Sequence, residues 1–245
     1  AAALRDVHNS LGMRETPTIP ERALPRRTVY FRAPLRRANL QYSVRMRPSS
    51  AQAAQRLIAS YILDHHEGHS GIVYCLSRKD THTMADALAQ HSSGRIRTGV
   101  YHSDLDEAEK HRVHAQWRTG AIQVVCATIA FGMGIDKGDV RFVVHACISK
   151  SLEGYYQETG RAGRDGAPSD CVLLYRAAAD MSRVSGMTAS EVGAQAKLHA
   201  MLRYAQSELC RQSILATYFD EPRTEPCGVC DRCQSPPPRH ADVSV

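Results

Sequence analysis

The sequence predicts an α/β fold: a mainly parallel sheet flanked by helices, followed by a small helical subdomain built around cysteines. Three observations predict it. Short apolar runs recur through the middle of the chain, with helix-length polar stretches between them. The β pattern stops after about Asp180. Four of the eight cysteines then crowd into the last quarter.

The elements follow in order. Residues 4 to 12 read as a short helix ended by Gly12, and residues 13 to 28, with three prolines and no periodicity, as a linker. The alternation Leu40, Tyr42, Val44, Met46 marks a strand with one buried face. Pro48-Ser-Ser precedes a helical pattern over 51–65. Further strands are expected at Gly71–Cys75, Thr98–Tyr101, Ile122–Cys126, Val140–Val144 and Cys171–Tyr175, with helices over Arg78–Gln90 and Asp106–Thr119. Such sheets hold ligands at the carboxyl ends of their strands, so the loops there are the place to seek chemistry. Beyond Asp180, residues 189–205 and 207–219 read as two helices leading into the cysteine loop. A tail with Pro236–Pro238 is expected to be disordered.

Composition excludes several classes. Of the 245 residues, 43% are hydrophobic and 23% charged, ordinary for a globular chain with a core of useful size. The apolar runs fall far short of the ~20 residues a membrane helix needs, and the first residues lack the apolar core of a secretory signal. The net charge of +6 favours an anionic partner such as nucleic acid, a solubilising basic surface being the alternative. Cys75, Cys126, Cys147 and Cys171 lie in or beside apolar segments, as core thiols do. Together with a separate cysteine cluster, they point to a reducing compartment.

Two constellations carry chemistry. In Tyr155-Tyr-Gln-Glu-Thr-Gly-Arg-Ala-Gly-Arg-Asp-Gly166, glycines let the backbone approach a bulky anion and two arginines stand between them. Arg161 and Arg164 are three apart, so one helical turn would aim both guanidinium groups at one place, where planar cations suit phosphoryl charge. A basic turn with solvated arginines is the alternative. The second is Cys210-x16-Cys227-x2-Cys230-x2-Cys233, with one helical ligand and three from a tight loop, which suits a tetrahedral structural Zn²⁺. An iron–sulfur cluster or unmetallated thiols are the alternatives, though the ferredoxin pattern wants a further Cys-Pro where Gln234-Ser-Pro stands.

Other patterns are set aside. Asp106-Glu-Ala-Glu109 has no strand leading into it and reads as a helix opening. His66-Glu-Gly-His69 has the wrong spacing for a zinc-protease box and reads as a solvated helix end. His111 and His114 read as surface residues.

The glycine-arginine string resembles motif VI of superfamily-two helicases in the form typical of the RecQ family. Val125-Cys-Ala-Thr-Ile-Ala-Phe-Gly-Met-Gly-Ile-Asp-Lys137 with Val140–His145 is similar to motif V, Ile72–Arg78 to motif IV, and Val100–Leu105 to motif IVa. The opening Leu35–Tyr42 resembles the family's entry to lobe two. The likeness covers roughly residues 35–235 and implies a RecA-like second lobe over 34–180, a zinc module over 181–235 and a tail over 236–245. Residues 1–33 would be the end of the first lobe and a linker. By resemblance Arg164 is the arginine finger on the ATP γ-phosphate, with Arg161 beside it. Gln157 couples nucleotide to DNA, and Asp136, Gly132 and Gly134 lie on the nucleotide side; a loop-end turn is the plainer role for Asp136. Ser77, Arg78, His102 and Thr128 would contact the DNA sugar-phosphate backbone, although Ser77 and Thr128 taken singly suit helix caps. Asp104 stands where the family usually has glycine, an acid facing a presumed phosphate path. The cysteines at 210, 227, 230 and 233 match the family's zinc ligands.

No Gly-x-x-x-x-Gly-Lys-[Ser/Thr] phosphate loop occurs in the sequence, and no Walker B strand. ATP and Mg²⁺ are therefore expected only with a first helicase lobe as partner, the chain alone being inactive. The resemblance implies a 3′-5′ DNA helicase acting on single-stranded and forked DNA, nuclear in a eukaryote and otherwise cytoplasmic or nucleoid. Roles in repair and recombination follow from the same likeness. A non-catalytic DNA-binding or annealing module is the alternative function.

Overall fold

The structure, a computed structural model, describes residues 9–13, 35–132, 136–188, 193–221 and 225–235. Residues 1–37 and 38–245 form two separate units. In the first, residues 9 and 10 are helical and Gly12 turns with φ 59°, ending the helix where its glycine was expected to. Most of the linker and the proline tail lie outside the described residues.

The second unit is built on six strands: β1 (Leu40–Met46), β2 (Ser70–Tyr74), β3 (Thr98–Tyr101), β4 (Val124–Ala127), β5 (Val140–His145) and β6 (Ser169–Tyr175). They lie in the order β1-β6-β5-β2-β4-β3, and every neighbouring pair is parallel. Eight helices accompany them among the described residues: α1 (Ala51–His66), α2 (Arg78–His91), α3 (Glu107–Thr119), α4 (Leu152–Thr159), α5 (Ala177–Thr188), α6 (Ala194–Gln206), α7 (Arg211–Tyr218) and α8 (Asp231–Gln234).

The period-2 rule of a pleated strand sorts the apolar residues into two cores. Val73, Val124, Cys126, Phe142, Val144, Val172 and Leu174 face α1 and α2, meeting Ile58, Ile62 and Leu88. Ile72, Val125, Val143, Cys171 and Leu173 face the other way, onto Trp117 of α3 and Tyr155 of α4. The central strands are buried on both faces, which is why they read as continuous apolar runs. Short polar side chains start the helices: Ser50 caps α1, Ser77 and Asp80 form a reciprocal capping box on α2, and Asp106 caps α3 at 2.7 Å from the Glu109 N–H. The Asp106–Glu109 acids thus open a helix, as expected. His66 departs from the solvated helix end expected of it. It is buried, 3.0 Å from Asp170, with its ring 4.8 Å from that of Phe142.

The chain after β6 returns to the second face. Leu198, Met201 and Tyr204 of α6 and Leu215 of α7 belong to the same core as Tyr155 and Leu173. This segment also covers the sheet edge at β1, where unpaired backbone groups would otherwise be open to pairing with another chain. The Val44 N–H donates to Asp231 at 3.0 Å, and Gln212 donates to the Leu40 carbonyl at 2.9 Å.

Candidate functional site

The carboxyl ends of β2, β4 and β5 open into a cleft of about 310 Å³, lined among others by Ser77, Arg78, Ser103, Thr128, Lys150 and Glu158. Three of the residues expected to face nucleic acid, Ser77, Arg78 and Thr128, therefore come together in its lining. Ser77 also caps α2, and the Thr128 hydroxyl faces the Ala130 N–H at 3.5 Å, so both serve the local fold as well. His102 is not among the lining residues. It is buried, and its Nε2 sits 3.0 Å from Nε2 of His82. Burial first, then the charges of His82, Arg78 and Lys110, hold its pKa below the usual histidine value, so the ring stays neutral at pH 7. Arg78 forms an ion pair with Asp104, both side chains being more than half exposed.

The glycine-arginine string sits where α4 ends. The helix stops at Thr159, and the Arg161 and Ala162 N–H groups turn back on Glu158 and Thr159 in tighter i to i+3 bonds. Arg161 and Arg164 consequently do not share a helical turn, and they reach two points on the loop that joins β4 to β5. Arg161 turns inward and donates to the Gly132 carbonyl. A Cβ on Gly132 would stand 2.9 Å from that guanidinium, so glycine makes room for the contact. Arg164 points outward, 3.5 Å from Asp136, which is 94% exposed. Gln157 is exposed on α4, and Gly134 lies outside the described residues.

The turn itself is rigidly held. Gly163 has φ 53°, and a Cβ there would come within 2.5 to 2.7 Å of Asn39, Ser169 and the Ala167 carbonyl. Asn39 donates to the carbonyls of both Gly163 and Ala167, and the Gly163 N–H donates to Val140. In the lining of the cleft, the buried pair His145 and Glu158 meets at 2.7 Å, and the Ser149 hydroxyl donates to the same carboxylate oxygen at 2.9 Å. This network ties the end of β5 to the helix that leads into the arginine turn. Sequence reasoning quoted both residues without assigning them. The one signal was a histidine closing a largely apolar strand.

The four clustered cysteines form the second site. Cys210 is the N-cap of α7, not a residue of its helix, and Cys230 is the N-cap of α8. Their sulfurs lie within 4.8 Å of one another, with individual separations of 3.4, 3.8 and 4.0 Å. Tetrahedral bonds of ~2.3 Å put sulfurs about 3.8 Å apart, so the donor set fits a Zn²⁺ ion and is far too wide for a disulfide. Burial raises the Cys227 and Cys230 thiols, Cys230 to about 12. At Cys210 burial acts in the same sense, but the Ser213 hydroxyl and the Cys227 N–H outweigh it and bring the thiol down to about 6. A divalent cation is what would ionise all four. The cluster is anchored by Arg211, 1% exposed, which meets Asp231 through two bonds of 2.9 and 3.1 Å and donates to the Tyr204 carbonyl at 2.6 Å. Burial opposes the Asp231 carboxylate, but Arg211 and the Val44 N–H hold its pKa below the usual value.

Both groups of residues lie within segments that match known protein domains. Residues 52–166 match the helicase conserved C-terminal domain, and residues 178–234 match the RecQ zinc-binding domain. The chain is 44% identical over 206 residues to ATP-dependent DNA helicase Q1 of Rattus norvegicus, covering 83% of this chain and 32% of the relative. It is 37% identical over 209 residues to ATP-dependent DNA helicase RecQ of Haemophilus influenzae, with the same two coverages, 83% and 32%. The chain thus spans about a third of the length of these curated relatives. Among solved structures, S. cerevisiae Dbp5 bound to RNA and ADP BeF3 is similar in fold, with a TM-score of 0.55 at 19% identity over 77% of this chain and 46% of that one. No helix among the described residues is long and apolar enough to cross a membrane.

Proposed function

The chain belongs to the RecQ family, as the portion that carries its helicase C-terminal and zinc-binding domains, and we propose that it forms the second wall of an ATP-driven DNA motor. This reading requires a first RecA-like lobe as partner, with the phosphate loop, ATP and Mg²⁺ on that lobe. The observation that carries it is Arg164: exposed at its tip, while the turn beneath is pinned by Asn39 and by Arg161 on Gly132. A guanidinium held ready on a fixed turn neutralises charge as it develops in phosphoryl transfer. Asp136 and Gly132, with Gly134 between them in sequence, form the nucleotide side of the joining loop, and Gln157 links it to the DNA-bound state.

The strand-end cleft is the DNA track. Ser77, Arg78 and Thr128 offer hydroxyl and guanidinium donors to backbone phosphates, which hold a strand without reading its sequence. His102, buried and in contact with His82 of α2, the helix that Arg78 begins, acts on the track through that helix. One structural Zn²⁺ per chain is held by Cys210, Cys227, Cys230 and Cys233, all four positions being filled by protein so that no open site remains for a catalytic water. Movement runs 3′ to 5′ on single-stranded and forked DNA. In a eukaryote this work belongs to repair and recombination in the nucleus.

The 245-residue chain by itself tests the division of labour. It is expected to bind single-stranded DNA weakly and without sequence preference, its affinity falling steeply with salt. No DNA-stimulated ATP turnover is expected. Turnover by this chain alone, or DNA affinity that does not respond to salt in an anisotropy series, contradicts the reading.

A further inference from the structure

The geometry points to Asp104 as a built-in competitor for DNA at the track. This acid, in the loop between β3 and α3, occupies Arg78 when no strand is bound and so lowers the affinity for single-stranded DNA. The inference rests on the proposal that Arg78 is a phosphate contact, and it adds what sets the strength of that contact. Arg78 is one of two permanently charged cations lining the cleft, the other being Lys150. Its guanidinium is already paired with the Asp104 carboxylate. The Ser103 hydroxyl donates to Asp104 Oδ1 at 3.1 Å, so the loop holds the carboxylate in place. Nearby Lys110 is held by Glu107 at 2.8 Å.

A carboxylate and a phosphate present the same kind of oxygen pair to a guanidinium, so they compete for one fork. With side-chain exposures of 58% and 54%, the pair is open to solvent, and ion pairs of this kind are weak enough to be displaced. Displacement does not remove the acid. It stays well within the ~8 Å screening length of the arriving phosphate and repels it. Both effects weaken DNA binding and both depend on salt. Had Asp104 instead served to orient Arg78 for phosphate, its removal would weaken binding. The sign of the effect therefore separates the two roles.

The test is fluorescence anisotropy with a labelled oligothymidine over a salt series, using the full 245-residue chain. Asp104→Asn is expected to tighten binding about three- to fivefold at low salt and to steepen the salt slope by about 0.7. Asp104→Gly, which leaves no amide behind, is expected to behave alike and guards against an effect peculiar to asparagine. In an Arg78→Ala background the gain from Asp104→Asn should shrink to the part that the carboxylate's own repulsion of phosphate contributes. Unchanged or weaker binding by both Asp104 variants overturns the proposal, as does a gain that persists undiminished without Arg78. If the parent binds DNA and only these shifts are missing, the competitor role alone fails. If neither parent nor variants bind at any salt, the DNA track fails with it.

Discussion

The strand-end cleft and the cysteine cluster use the same kinds of parts, short loops and helix N-termini, to opposite ends. At the cleft and at the glycine-arginine turn the groups that matter are left reachable: Arg164 and Gln157 are exposed, and Arg78 is shared with an exposed acid. At the cluster the supporting groups are enclosed. Cys227 and Cys230 are buried, Arg211 is enclosed, and Asp231 is bonded to Arg211 and to the edge strand at once. A site whose polar groups are satisfied internally is built to hold the fold, whereas one whose charges face solvent is built to meet something. The cleft has the character of half a site, and the cluster that of a whole one.

Perturbing the two regions should sharpen this contrast. The largest effect is expected at the cluster. Cys227→Ala should lose the metal and expose residues 193–235 to protease, since metal binding in structural zinc sites is itself folding energy, ~10 kcal/mol or more. Tyr204 and Leu215 share a core with the sheet, so the thermal midpoint of the whole unit should fall too. Elemental analysis and limited proteolysis check both. A full complement of zinc in Cys227→Ala would remove that cysteine from the ligand set.

Arg211→Ala comes next. It strands the Asp231 carboxylate and the Tyr204 carbonyl, and breaking such a buried pair costs about 3–5 kcal/mol. Arg211→Met, which fills the space without the charge, leaves Asp231 equally stranded but keeps the packing, so it should cost less. Urea unfolding distinguishes them, and equal losses would mean that packing contributes little. The cleft should respond least in stability. Asp104→Asn is expected to move DNA affinity while leaving the unfolding midpoint almost unchanged, since exposed pairs contribute ~0–1 kcal/mol.

The fold was legible in the sequence because both of its signals are local. Apolar runs such as Ile72–Tyr74 and Val143–Val144 mark strands buried on both faces, and Ser77 and Asp106 mark helix starts. Spacing also pointed to the four sulfurs, because three cysteines with two residues between neighbours fall in one short stretch and the fourth precedes them by sixteen intervening residues. What stayed hidden depends on long-range pairing. Asn39 reaches Gly163 and Arg211 reaches Asp231, and nothing in the local pattern joins them. The two arginines were expected on one helical turn, but α4 ends at Thr159 and the glycines carry the chain away. Residues 177–188, where no helix was drawn, continue helical after β6, and Cys210 caps α7 instead of lying within it. His66 turned out buried because its carboxylate partner Asp170 lies on a strand a hundred residues further along.

The central claim is that Arg164 completes an ATP site whose other half lies on a first lobe. ATP turnover measured in a protein that joins this chain to that lobe tests it directly. Arg164→Ala should lower kcat by ~10³ or more while ATP and DNA binding stay near parental values, because an arginine finger acts on the transition state. An Arg164→Ala protein that turns over ATP within about threefold of the parent would contradict the account, a finger being worth far more than that.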